Sequence, residues 1–180
     1  MARAPRDRAP GIHHVVVGAA GPIDYFRDAI DRMDWIRRLV RALERYEWTC
    51  VLMSQMTTHL HLLVDVPDES LPIGMHSLNS HYGKEFNARH GRIGHLIRSR
   101  YWSKRMKSTE QLLEAFRYGA RNPLEARLCT RPEDWRWSSF GTSCRLSDAF
   151  PFVDASVVLS QFAASETAAI NALRAFVGQA

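Results

Sequence analysis

The sequence predicts an α+β domain, an antiparallel sheet with helices packed on it. Three observations carry this. The stretch Thr58-His59-Leu60-His61-Leu62-Leu63-Val64-Asp65-Val66 alternates polar and apolar side chains and then turns apolar, the pattern of a half-buried strand at a sheet centre. A β-rich run at 47–53 is joined to it only by the link 54–57, so the two should pair antiparallel. Helical periodicity recurs between the β-rich runs, giving the order β-α-β-β-α-β-α plus a tail.

The elements follow in order. Residues 1–10 are basic, with no apolar run behind the charges, and read as a disordered lead-in rather than a signal peptide. Residues 11–18 (GIHHVVVG) are β-rich and bounded by glycines, a first strand. His13 and His14 sit at its start; as neighbours they face opposite ways and read as ordinary surface or packed histidines. After a turn at 19–22, a helix runs from about Ile23 or Asp28 to Tyr46, with Ile30, Met33, Ile36, Val40 and Leu43 as its apolar stripe. The strand at 47–53 and the histidine strand come next. In the latter, His59 and His61 share one face, and Leu60, Leu62 and Val64 share the other.

A loop at 67–72 leads to a second helix over about 72–89, marked by Ile73, Leu78, Tyr82 and Phe86. Residues 95–106, basic and aromatic, read as a strand preceded by a turn. Ser108 with Gln111 three residues on is a capping box. It opens a helix through Leu112, Leu113 and Phe116 to about Arg121. Asn122-Pro123 should interrupt that helix, because a residue before proline is pushed away from helical geometry. Asn122 would then cap a further short turn. An aromatic loop at 131–140 and helical segments at 157–162 and 168–177 complete the chain.

Composition narrows the class. A chain of 180 residues, 46% hydrophobic and 24% charged, fits one globular domain with one sizeable core. No apolar run approaches a membrane span. Cys50, Cys129 and Cys144 are odd in number, widely spaced and free of any Cys-x-x-Cys pair. They argue against a disulfide framework or a structural zinc site and for a reducing, cytoplasmic setting. Net charge is +5, and from Lys84 to Lys107 eight Lys/Arg stand against one acid, Glu85. Tyr82, Phe86, Tyr101 and Trp102 are interleaved with them. Cations pair with phosphates and aromatic faces stack on bases, so the mixture points to nucleic acid. Arg92, Arg98, Arg100, Lys104 and Arg105 are the candidate contacts, and nothing in the segment separates RNA from DNA.

Two imidazoles on one strand face suit a divalent metal ion; they equally suit hydrogen bonds to backbone carbonyls. Tyr118 lies four residues before Asn122, so phenol and amide share a helix face with Gln111 and Ala115, while Leu112, Phe116 and Gly119 mark the buried face. A tyrosine there fits plain amphipathic packing as well as chemistry. Together, a His-x-His strand, a basic aromatic segment and a helical Tyr-x-x-x-Asn are the parts needed to cleave a phosphodiester with a tyrosine.

The chain resembles the single-tyrosine HUH transposases, in particular the REP-associated tyrosine transposases. The resemblance spans 11–140 and rests on 58–64 (THLHLLV), 91–96 (GRIGHL), 116–124 (FRYGARNPL) and 132–139 (PEDWRWSS). It implies a ferredoxin-like α+β fold and a catalytic domain over 11–145, followed by a helical extension at 146–180. It implies His59 and His61 as metal ligands, Asn122 completing the site, Tyr118 as nucleophile, and Mg²⁺ or Mn²⁺ as the ion. The implied substrate is single-stranded DNA beside a hairpin, joined through a 5′-phosphotyrosine, with no nucleotide cofactor and no membrane. A homodimer is one arrangement such enzymes use. A hairpin-binding protein without catalysis is the alternative. The sequence departs from the family at Met56-Thr57-Thr58, where Pro-Asn is common before the first histidine, and at Gly119, which as a helical glycine should loosen the helix by ~1 kcal/mol relative to alanine.

Overall fold

A computed structural model describes residues 7–97 and 101–179. Its sheet contains β1 (Gly11–Gly18), β2 (Thr49–Gln55), β3 (His59–Val66) and β4 (Trp102–Arg105), in the order β2-β3-β1-β4 with every neighbouring pair antiparallel. With α1 (Ala29–Tyr46) between β1 and β2 and α2 (Leu71–Arg89) between β3 and β4, this is the expected ferredoxin-like α+β arrangement. No helix among the described residues is long and apolar enough to cross a membrane.

The alternation in β3 divides the molecule. Leu60, Leu62 and Val64 join Val15 and Val17 of β1 in a core covered by α1 and α2. Leu63 points the other way. It joins Leu52 of β2 in a second core under α3 (Thr109–Glu125), α5 (Ser156–Leu159) and α6 (Glu166–Gly178).

Local signals explain the helix ends. The Asp28 carboxylate accepts from the amides of Ile30 and Asp31 and starts α1; Glu47, in the left-handed region at φ 55°, ends it. That ending delays the strand expected from 47, so β2 begins at Thr49. The buried line of α1 also differs from the expected stripe. Trp35, Ile36, Leu39 and Leu43 are buried, while Ile30 and Met33 stand exposed. Trp35 and Leu39, one turn apart, set the face because they bring more apolar surface to the core.

The expected break at Asn122-Pro123 does not occur. The helix α3 continues to Glu125 with Pro123 inside it and buried. Proline removes one amide near the helix end, and the burial of Phe116 and Ala120 in the second core, with Pro123 itself buried, outweighs the local preference. The Ser108 cap forms as expected, its Oγ accepting from Gln111 N, while the return bond from Gln111 Oε1 goes to Lys107 N, one residue before the cap, rather than to Ser108 N.

The segment 132–139 closes the free edge of β2. After a 3₁₀ turn at Pro132–Asp134, Trp137 O accepts from Gln55 N. Ser139 N donates to Met53 O, and Ser139 Oγ accepts from Met53 N. A covered edge cannot pair with another chain. The buried Arg32 of α1 fastens this segment, its guanidinium lying over Phe26, Trp135 and Trp137 and donating to Gln55 O. The short α4 (Phe140–Ser143) follows directly.

Candidate functional site

Antiparallel register decides which side chains share the α3 face of the sheet. His61 is opposite Val16 and His59 opposite Gly18. Two residues along β1, His14 comes up on that same face, and across β1 it is opposite Lys104 of β4, while Val16 is opposite Trp102. The result is a cluster. The rings of His59 and His61 are 5.0 Å apart and those of His14 and His61 5.4 Å, with His14 Nε2 3.1 Å from His61 Nδ1. Trp102 meets His14 edge-on at 5.4 Å.

Tyr118 and Asn122 reach this cluster from above. The Tyr118 ring is 5.1 Å from that of His61, at 88°, and 6.2 Å from that of His14. Asn122, one helical turn on, brings its amide to the side of His59. Unbroken helix across Asn122-Pro123 is what keeps the two aligned. Gly119 sets the approach. A Cβ there would stand 2.8 Å from Leu52 Cδ2 and 3.6 Å from His61 Cβ, so the residue that weakens the helix is the one that lets it lie close to the sheet. Tyr118 itself is 49% exposed.

Burial governs the electrostatics. It pushes the His61 imidazole down to about 3, helped by the neighbouring His14 and His59. It pushes His14 down to about 4, helped by the Lys104 charge. His59 is also lowered by burial, against the opposing pull of the Asn122 side chain. All three rings are therefore neutral at neutral pH and keep a lone pair to offer.

Among the described residues no three His, Cys, Asp or Glu side chains are disposed as a metal-binding group. A divalent ion here would need a donor of another type, and the Asn122 amide at His59 supplies an oxygen. One further observation fits such an ion. His61 Nε2 is buried without a hydrogen-bond partner, a condition that costs about 1–3 kcal/mol unless something accepts its lone pair. Two imidazoles and an amide oxygen make a donor set compatible with Mn²⁺ or Mg²⁺ as well as with softer ions.

An open groove of about 600 Å³ runs beside the cluster, lined by His14, Trp102, Lys104, Gln111 and Tyr118, with Glu110 and Glu114 also on its wall. Of the basic candidates, Lys104 faces this groove. Arg105, one residue on, turns to the opposite face and pairs with Asp7 at 2.8 Å. Arg92 lies past the end of α2 with its guanidinium over Phe86, in the α1/α2 core. Arg98 and Arg100 fall outside the described residues. The structure thus brings His59, His61, Tyr118 and Asn122 together with Lys104, and not with Arg92 or Arg105.

Two site residues escaped the sequence reading. His14 was compared with its neighbour His13 along the strand, whereas its partner is across the sheet; the available signal was a histidine on each of two strands expected to lie in one sheet. Thr58, noted only as a departure, has its hydroxyl 3.2 Å from His59 Nδ1. Around it, Thr57 O accepts from the amides of Tyr25 and Phe26, so backbone hydrogen bonds hold the turn.

No family model and no curated protein matches this chain. Among solved structures, one of a REP-associated tyrosine transposase bound to a REP hairpin is similar in fold, with a TM-score of 0.68 over 87% of this chain and 94% of that one. Sequence identity is 14%, so the likeness is one of fold.

Proposed function

We propose that the protein is a single-tyrosine DNA transposase of the REP-associated type, which nicks and rejoins single-stranded DNA beside a hairpin. The observation that carries this reading is the convergence of Tyr118, edge-on to His61, with Asn122 one turn on beside His59. The hairpin bound by the structural neighbour supports the choice of substrate. In this reading residues 11–145 form the catalytic domain, and 146–180 are an extension buttressing α3.

The roles follow from the geometry. Tyr118, half-exposed at the groove, attacks the scissile phosphorus. Its phenolic proton is lost to solvent, the 3′-oxygen of the upstream nucleotide leaves and is protonated, and a 5′-phosphotyrosine is formed. Attack by a 3′-hydroxyl reverses the step, so no nucleotide is consumed. His59, His61 and Asn122 would hold the divalent cation, Mg²⁺ or Mn²⁺, which when bound supplies polarisation of the phosphate. Lys104 pairs with a flanking phosphate, and Trp102, exposed at the groove, offers a face for a base.

The test is a covalent adduct. Labelled hairpin-flanked single-stranded DNA with Mn²⁺ should leave protein-bound label that Tyr118→Phe abolishes, while the urea midpoint moves by no more than about 0.5 kcal/mol equivalent, as for other exposed positions. An adduct persisting in Tyr118→Phe overturns the nucleophile. His59→Ala should remove the adduct while the hairpin still shifts in a gel; equal loss of both would make His59 structural. Hairpin binding without any adduct in the unaltered chain would leave the binding protein as the better reading.

A further inference from the structure

We propose that His14 is a positioning residue for His61, accepting a hydrogen bond from its Nδ1–H and so leaving His61 Nε2 as a bare lone pair available to a divalent ion. The inference rests on reading His61 as a metal ligand, and it deepens that reading.

Two neutral imidazoles in contact share one proton between the facing nitrogens. His14 Nε2 and His61 Nδ1 are 3.1 Å apart, so one donates and the other accepts. If His14 donates, His61 must carry its own proton on Nε2, where it finds no acceptor, because that atom is buried and unpartnered. If His61 donates, Nε2 is deprotonated and free to ligate. A buried donor without an acceptor is the costlier of the two states. The pair therefore favours the tautomer that a ligand needs. Metal-bound histidines are held in this manner by an acceptor on the ring nitrogen away from the metal, usually a carboxylate or carbonyl. Here an imidazole does it.

His14 is suited to accept. It is 6% exposed and boxed between His61 and Trp102, so its Nε2 faces His61 Nδ1 rather than solvent. At the other proposed ligand, Thr58 Oγ1 lies 3.2 Å from His59 Nδ1. The Nδ1 atoms of both histidines are thus occupied.

The tautomer is read directly by long-range ¹⁵N–¹H correlation on the metal-free, ¹⁵N-labelled full chain at neutral pH. His61 should be protonated on Nδ1, and His14→Phe should shift it toward the Nε2-protonated form. Free-Mn²⁺ EPR titration should then show affinity weakened by about 10- to 100-fold in His14→Phe. His14→Gln, whose amide oxygen accepts, should keep the Nδ1 tautomer and come within a few-fold of the unaltered chain. A His61 protonated on Nε2 in the unaltered chain overturns the proposal, as does unchanged Mn²⁺ affinity in His14→Phe. Equal weakening in His14→Gln with the tautomer retained would make His14 a direct ligand and also overturn it. His59→Ala separates the underlying reading: Mn²⁺ binding that survives it removes the metal site but leaves the tautomer result standing on its own.

Discussion

The two faces of the one sheet are built to different standards. Toward α1 and α2, β1 and β3 present Val15, Val17, Leu60, Leu62 and Val64, all fully buried among aromatics. Toward α3, the same strands present Val16, His14, His59 and His61, and the cover stops at a half-exposed tyrosine. The first face has its apolar surface matched by helix. The second leaves a buried ring nitrogen unpartnered beside an open groove. Buried polar atoms without a partner occur on the packed face as well, at His13 Nδ1 and Trp35 Nε1; what sets the second face apart is that its unpartnered nitrogen sits among two further histidines and a half-exposed tyrosine beside the groove.

The contrast predicts where substitutions register. On the packed face, Leu62→Ala removes a wholly buried side chain and should cost about 2–5 kcal/mol in urea unfolding. Adduct formation per folded molecule should hardly change, since Leu62 faces away from Tyr118. A Leu62→Ala that kept its stability would break the comparison.

Gly119→Ala works between the faces. Alanine improves the helix by about 1 kcal/mol, but its Cβ meets Leu52 Cδ2 at 2.8 Å in a filled core, a conflict of about 1–3 kcal/mol. The net destabilisation should therefore be no more than about 2 kcal/mol. The site should suffer more, because lifting α3 moves Tyr118 away from His61. Displacements of this order cost up to about 100-fold in rate, so adduct yield should fall by about 10- to 100-fold. Undiminished yield would mean that α3 need not lie close to the sheet.

How much of this the sequence carried depended on distance along the chain. The histidine strand was legible because a period of two needs only consecutive residues, and Tyr118 with Asn122 because i and i+4 share a helix face. Two kinds of feature were not. The continuity of α3 through Pro123 pits local propensity against packing with strands some sixty residues away, and packing wins. The role of His14 depends on the register of β1 against β3, between residues 47 positions apart in the chain. Arg105 shows the same limit from the other side. It sits in the basic run beside Lys104, yet the pleat turns it to the opposite face and toward Asp7. Charge clustering in sequence does not say which face of a sheet receives each charge.

The smallest expected effect concerns charge on the packed face, where a surface cluster joins the ends of two helices. Arg89, at the end of α2, pairs with Asp28 and with the buried Asp31, which also bonds His90 at 3.0 Å. The hydrogen bond from Arg89 is the chief reason that the Asp28 carboxyl is lowered from 3.8 to about 2. The unfolded chain then binds the proton more readily than the folded one. The pair's contribution is present above pH 3.8 and is lost as pH falls through about 2. Asp28→Asn keeps the helix cap, since asparagine caps as well as aspartate, and removes only the charge. Both groups are well exposed, so solvent screens them and the loss at pH 7 should be at most about 3 °C in Tm. The two Tm curves should converge between pH 4 and pH 2. A gap that persists at pH 2 would assign the effect to packing at the helix junction, and would make this edge of the packed face as dependent on shape as its interior.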